Sequence, residues 1–197
     1  MKTLVYVHGT NGSGKSTLAR AVIAAAGGTQ TVDGVEHDTT QKVKAHVTWT
    51  HSGLALAGKY GAACGGVDGV QPYEAVHSIL QRAVEYDGAC VFAEGLVTPG
   101  QDTCVKFASY FDRAVFILLD TPDTVCIKNV LARRAVKGND KPYDPKNLYR
   151  KQVSARNWAT RLERAGLEVH RLQYRQARAL CLELLGLPEP SAHQLLY

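Results

Sequence analysis

The residues best suited to chemistry stand near the start of the chain, in a glycine-rich loop. Gly9-Thr-Asn-Gly-Ser-Gly-Lys15-Ser16 fits the pattern G-x-x-x-x-G-K-[ST] at every fixed position, between a short apolar run and a helical sequence. Glycines let the backbone curl until successive N–H groups face one anion, and the N-terminus of a helix adds partial positive charge. The motif therefore predicts a binding site for the phosphates of a nucleoside triphosphate.

Each polar residue of this loop has its own expected role. Lys15 can reach the β- and γ-phosphates, and the hydroxyl of Ser16 can coordinate Mg²⁺. The residues predicted to hold the phosphates and the metal are Gly9, Thr10, Asn11, Gly12, Ser13, Gly14, Lys15, Ser16 and Thr17.

Two acidic residues are candidates for work on the metal and on an acceptor hydroxyl. Glu94 directly follows the apolar run Cys90-Val-Phe-Ala93, and a carboxylate at the end of a parallel strand lies in the ligand crevice. We therefore expect Glu94 to support Mg²⁺ through water; the alternative is a solvated turn residue. Asp68 lies in Gly65-Gly-Val-Asp-Gly69 and is predicted to be the base or the orienter of the hydroxyl, although Asp-Gly is also an ordinary turn dipeptide.

The positive charge is concentrated in the C-terminal third of the chain. Residues 127–178 contain 14 Lys/Arg and 4 Asp/Glu, whereas the remainder carries a net charge of −5 within a total of +5. A polyanion is the expected partner of this segment, either ATP alone or ATP together with a nucleic acid. The alternative is a solvated basic helix face.

The elements that must position these residues alternate between strands and helices. Near-continuous apolar strands are predicted at residues 3–7, 90–93, 114–119 and 167–172, with helices between and after them. His46–Thr50 and Leu54–Ala57 flank His-Ser-Gly and predict a hairpin. Buried strands alternating with helices indicate an α/β fold whose parallel sheet is covered on both faces.

Length and composition exclude several classes of protein. The 197 residues are 45% hydrophobic and 21% charged, which argues against wholesale disorder and fibrous architectures. No run of about 18 apolar residues predicts a membrane span. Five cysteines without C-x-x-C spacing argue against a disulfide framework or a zinc ribbon. We therefore expect a soluble, cytoplasmic protein with no membrane partner.

The order of these motifs resembles the thymidylate and adenylate kinase-like branch of the P-loop kinases. The resemblance rests on the glycine-rich loop and on Leu119-Asp-Thr-Pro-Asp123 with Arg133-Arg134 downstream. It implies a P-loop NTPase fold, three layers α/β/α with a parallel central sheet, a β-hairpin insertion at about 43–70 and a basic helical lid at about 133–156. Residues 1–188 would form one kinase domain, and 189–197 a tail.

The same resemblance implies further roles for single residues. Arg133 and Arg134 would neutralise charge on the transferring phosphate, and the spacing leaves open which of them points inward. Asp38 is the second candidate for the acceptor-side acid, because such kinases often carry one after the second strand. ATP and Mg²⁺ are the expected donor and cofactor.

A second resemblance concerns the acceptor. The hairpin followed by Gly58-Lys-Tyr60, the loop Cys64-Gly-Gly-Val-Asp-Gly69 and the strand before Glu94 resemble a group of bacteriophage P-loop kinases. That group phosphorylates the hydroxymethyl group of 5-hydroxymethyluridine in phage DNA, which implies DNA bearing a modified base as the partner and the host cytoplasm as the location. A kinase for free nucleosides or nucleotides remains the alternative. A regulatory NTPase without an acceptor is disfavoured because no N-K-x-D signature is present.

Overall fold

The computed structural model describes residues 1–34, 46–60, 66–70, 74–86, 90–95 and 99–190. Within these ranges the chain forms a mixed α/β fold with one seven-stranded sheet, six α-helices and a short 3₁₀ helix, Val67–Gly69. In chain order the strands and helices are β1 (Thr3–His8), α1 (Lys15–Ala25), β2 (Thr29–Gly34), β3 (His46–Thr50), β4 (Ala55–Ala57), α2 (Ala75–Glu85), β5 (Cys90–Gly95), α3 (Gln101–Ala108), β6 (Arg113–Leu119), α4 (Asp123–Val136), α5 (Lys146–Arg164), β7 (Glu168–Leu172) and α6 (Tyr174–Leu184).

The sheet has the order β2-β3-β4-β5-β1-β6-β7. The five strands from β4 to β7 in this order pair in parallel, as predicted. The predicted hairpin is present as β3 and β4, and β4 joins the central sheet, with Ala55 beside Val91 and Leu56 beside Phe92. β3 and β2 add two antiparallel strands at this edge. β2 is a strand that the sequence pattern did not predict.

Helices cover both faces of the sheet. The strand β1 divides its side chains between two cores, with Leu4 and Tyr6 on one face and Val5 and Val7 on the other. The first core includes residues of α2, α3 and α5, and the second includes residues of α1 and α6. Trp158 of α5 is fully buried against the sheet, as its spacing on the helix predicts.

The carboxyl ends of the three central strands meet at one edge of the sheet. His8 ends β1 beside Gly95 of β5 and Leu118 of β6. Since parallel strands end on the same side, the segments that follow them leave the sheet close together. The glycine-rich loop, Glu94 and the segment from Asp120 to Pro122 are gathered at this edge.

Two further findings bear on the sequence expectations. None of the helices in the described part of the chain is long and apolar enough to cross a lipid bilayer. The cysteines that the structure describes are free thiols: Cys90, Cys104, Cys126 and Cys181.

Candidate active site

The glycine-rich loop leaves β1 and curls against the first turns of α4. Gly12 and Gly14 have φ values of +79° and +103°, a backbone region that residues with a side chain rarely adopt. A Cβ at Gly12 would overlap the carbonyl oxygen of Cys126, and Asn129 Nδ2 donates to the Gly12 carbonyl at 2.9 Å. The loop therefore needs glycine at position 12 both for its conformation and for its close approach to α4.

Hydrogen bonds from the opposite strand end and from α5 fix the rest of the loop. Thr121 Oγ1 donates to the Ser13 carbonyl at 2.8 Å, and Gln152 Nε2 donates to the Thr121 carbonyl at 3.1 Å. On the other side Thr10 Oγ1 donates to the Leu148 carbonyl at 3.5 Å. The loop is thus shaped by residues more than 100 positions further along the chain.

Lys15 turns its ammonium group back into the mouth of the loop. Its Nζ donates to the carbonyl oxygens of Gly9 at 2.8 Å and Thr10 at 3.0 Å, and the side chain is buried. Burial lowers the pKa of Lys15, because the charged form loses water, while the carboxylates of Glu94 and Asp68 oppose this shift. The ammonium therefore lies in the field of both predicted acids.

The two acids are held beside each other by tight glycine contacts. Gly66 has φ +72° and ψ −169°, a conformation almost confined to glycine, and a Cβ there would lie 2.7 Å from Glu94 Oε1. Gly95 faces the 3₁₀ helix so closely that a Cβ would lie 3.1 Å from Asp68 Oδ1. The acid loop, residues 66–70, is therefore pressed against the end of β5, which brings Asp68 next to Glu94.

His8 at the end of β1 holds the end of β5, next to the two acids. Its Nδ1–H donates to the Gly95 carbonyl at 3.0 Å, and its ring packs on Trp158 with centroids 4.6 Å apart. Burial is the main cause that lowers the pKa of His8 to about 4, so the ring is neutral near pH 7. A neutral imidazole at this position holds the strand end without adding charge to the site.

The glycine-rich loop, the two acids and residues of α1 and α4 line one polar cleft of about 700 Å³. The structure brings Lys15, Ser16, Asp68, Glu94 and Arg133 together there. The described residues that line this cleft are Asn11, Gly12, Gly14, Lys15, Ser16, Thr17, Arg20, Asp68, Glu94, Asn129, Ala132 and Arg133. Arg20 was missed by sequence reasoning, although it lies four residues, about one helical turn, after Ser16 on α1.

Four of the predicted residues that the structure describes are absent from this lining: Gly9, Thr10, Ser13 and Arg134. Arg134 donates to Asn139 Oδ1 at 3.0 Å and to the Lys141 carbonyl, and its guanidinium lies over the ring of Tyr143, so it braces the loop after α4. Asp38 falls outside the described residues. The roles given to Arg134 and Asp38 stay predictions.

A second, smaller cavity of about 310 Å³ opens on the other side of the loop. Its walls include the backbone of Ser13 and Gly14, the start of α4 at Pro122 and Val125, and Tyr174 at the start of α6. Unlike the polar cleft, this cavity has no charged side chain among the described residues that line it. It is a suitable neighbour for a flat, uncharged group attached to phosphates held in the loop.

Gly66→Ala is expected to damage the site through the backbone. The new Cβ would overlap the Glu94 carbonyl and enter a backbone region unsuited to alanine, so we expect a loss of about 1–3 kcal/mol in unfolding free energy and at least a tenfold loss in kcat. Gly69→Ala, two residues beyond Val67 and with nothing within 4 Å of its Cβ, is the matched control and should behave as wild type. Urea unfolding and a phosphate-transfer assay check both. Equal stability and equal kcat of the two variants would show that the close contact between Gly66 and Glu94 is not needed for the site.

Comparison with known proteins gives one informative match. No model of a known protein family matches the chain. A curated protein of Pseudomonas phage PaMx11, named 5-hmdU DNA kinase, is 29% identical over 172 residues, which cover 84% of this chain and 88% of the relative. The similarity confirms the resemblance to a bacteriophage kinase, and the chain is accordingly a phosphotransferase.

Proposed function

We propose that this phosphotransferase transfers the γ-phosphate of ATP to the hydroxymethyl group of 5-hydroxymethyluridine in DNA. The observation that carries the proposal is the single cleft in which Lys15, Asp68, Glu94 and Arg133 meet. Cations suited to phosphates and carboxylates suited to a metal and a hydroxyl are the groups that phosphoryl transfer requires. The acceptor is taken from the name of the phage relative.

On the donor side, we propose that the glycine-rich loop acts as a P-loop. The curled backbone at Gly12 and Gly14 and the N-terminus of α1 favour an anion, and Lys15 would reach the terminal phosphates. The base of the nucleotide would enter the smaller cavity and pack on Tyr174. ATP, as opposed to another nucleoside triphosphate, is proposed from the kinase resemblance.

Mg²⁺ would be held by few protein ligands. Ser16 and Glu94 offer hard oxygen donors in the cleft, and among the described residues no group of three His, Cys, Asp or Glu side chains forms a cation cage. This donor set fits Mg²⁺, which usually keeps several waters and binds one or two protein oxygens together with phosphates. When bound, the metal would neutralise charge on the phosphates.

On the acceptor side, we propose that Asp68 accepts the proton of the hydroxymethyl group. As the hydroxyl oxygen bonds to the γ-phosphorus, the bond from that phosphorus to the β–γ bridging oxygen breaks and ADP leaves. Charge then spreads over the phosphoryl oxygens, where Arg133 would stabilise it and Arg20 would hold anionic groups of the acceptor. Asp38 remains the second candidate for the base.

The remaining predictions belong to the same proposal. Residues 1–188 would act as one kinase domain, and the segment at about 133–156, with eight Lys/Arg against two Asp, would act as a lid. Arg134, which braces the loop within that segment, would act through the position of Arg133. The host cytoplasm is the proposed location, by analogy with the phage relative.

Transfer of ³²P from [γ-³²P]ATP to defined acceptors tests the function. We expect label on duplex DNA with 5-hydroxymethyluracil and none on the same duplex with thymine, because the two differ by the hydroxyl that attacks. Free 5-hydroxymethyldeoxyuridine and common nucleotides are offered in parallel. Label confined to a free nucleoside or nucleotide would replace DNA by a small acceptor, and ATP hydrolysis without any labelled acceptor would favour the regulatory NTPase.

A further inference from the structure

The outward face of α5 carries a continuous row of basic and neutral hydrogen-bonding side chains. The helix buries Ala155 and Leu162 in the core beside the sheet and Leu148 in a small cluster with residues of α4. On the far side, successive positions separated by four, three, four and three residues fall along one face. These positions, here called the arginine row, are all exposed and contain no acidic residue: Arg150, Ser154, Asn157, Arg161 and Arg164.

The arginines of this row have no carboxylate partner among the described residues, in contrast to several arginines elsewhere. Arg113 pairs with Glu168 at 2.7 Å, and Arg171 pairs with Glu163 at 2.9 Å. The guanidinium groups of Arg150, Arg161 and Arg164, by contrast, make neither a hydrogen bond nor an ion pair to any residue in the part of the chain that the structure describes. Their charge is therefore available to an external anion.

The side of α5 next to β7 is neutralised instead. There Arg156 bonds to Asp120 at 2.9 Å, and the carboxylate of Glu163 is engaged by Arg171. Along one helix, the carboxylate partners are confined to the flank that faces β7, and the outward row is left positive. The positive electrostatic field of α5 is therefore directed outward from the arginine row, which the total charge alone does not show.

The row begins beside the active-site cleft and leads away from it. Two residues before Arg150, the carbonyl of Leu148 accepts the hydrogen bond from Thr10 of the glycine-rich loop. From Arg150 to Arg164 the helix rises by about 21 Å. That length corresponds to about six base pairs of duplex DNA, whose backbone presents a regular array of negative charge.

We propose that the arginine row binds the phosphate backbone of double-stranded DNA beside the target base. The proposal rests on the proposed function for the identity of the acceptor, and it adds the surface that holds the flanking duplex. Guanidinium groups and the small polar side chains of Ser154 and Asn157 are typical donors to phosphate oxygens. Binding of this kind is independent of sequence, so the row would supply affinity and orientation while the cleft selects the base.

Binding to a duplex of about 20 base pairs, measured by fluorescence anisotropy without ATP between about 50 and 200 mM salt, tests this surface. Arg150→Gln, Arg161→Gln and Arg164→Gln are combined one after another. Each arginine that contacts a phosphate should lower the slope of log affinity against log salt by about one, and the triple variant should bind at least about tenfold more weakly. Arg82→Gln, an exposed arginine on α2, is the matched control and should bind as wild type.

The outcomes separate this surface from the proposed reaction. Duplex affinity that is unchanged in the triple variant, absent in wild type, or equally reduced by Arg82→Gln would overturn the proposal even if modified DNA is phosphorylated. Binding of the row to anionic lipid vesicles but not to duplex DNA would overturn it as well. Loss of duplex binding in the triple variant, in a protein that phosphorylates no DNA, would retain the surface and remove the proposed acceptor.

Discussion

Lys15→Ala should lower kcat for phosphate transfer by about a thousandfold. The Lys15 ammonium is buried, fixed by the carbonyl oxygens of Gly9 and Thr10, and close to the carboxylates of Asp68 and Glu94. A charge held in this way loses little further freedom when it stabilises a transferring phosphate. Single-turnover transfer to the modified duplex measures the loss.

A second substitution separates charge from packing at this position. Lys15→Met keeps most of the buried aliphatic stem and removes only the ammonium, so we expect the fold to persist and transfer to fall as in Lys15→Ala. Lys106→Ala, at an exposed lysine on α3, is the control and should be fully active. Thermal unfolding verifies that each variant is folded. Normal turnover in Lys15→Met would refute the proposed donor site.

Asp68→Asn is expected to lower kcat by about 10²–10⁴-fold, with little change in the KM for ATP. The amide keeps the size of the carboxylate and its place beside Gly95 but cannot accept the hydroxyl proton. Because the proposed donor site holds the phosphates through the glycine-rich loop and Lys15, which this substitution leaves in place, ATP binding should be spared. Initial rates with varied ATP, at saturating modified duplex, separate the two parameters.

Asp38→Asn is the comparison that decides between the two acids. If Asp68 is the base, Asp38→Asn should retain wild-type turnover, whereas a large loss in Asp38→Asn alone would transfer the role. Wild-type turnover in both variants would contradict the assignment of an acidic base at either position.

Glu94→Gln should behave differently from both, raising the Mg²⁺ concentration needed for half-maximal rate.

The parts of the site that depend on local sequence could be predicted. The strand, loop and helix from Thr3 to Ala25 follow from apolar and glycine patterns, and Lys15 bonds to carbonyls only five and six residues away. Glu94 could be placed at the cleft because the end of a parallel strand fixes its location. These predictions needed no knowledge of distant contacts.

The parts that depend on distant segments could not be predicted. β2 has six exposed, mostly polar residues without alternation, so its pairing with β3 leaves no sequence signal. The contact of Gly66 with Glu94 joins residues in separate elements, and it depends on a turn that the sequence shows only as glycines. The sequence could not show whether Arg133 or Arg134 faces the cleft. The two side chains leave α4 in different directions, and the rotation of the helix about its axis, which the sequence does not give, decides which of them points inward.

The central position of β1 has a consequence for how the protein opens. β1 lies between β5 and β6 with all six residues buried, whereas β2 at the sheet edge and the last turn of α4 are largely exposed. Amide hydrogens of β1 should therefore exchange with solvent only when the whole domain unfolds, and those near Arg133 should exchange through local fraying. The glycine-rich loop is thus attached to the last part of the molecule to open, while Arg133 can change its position without opening the sheet that carries the loop.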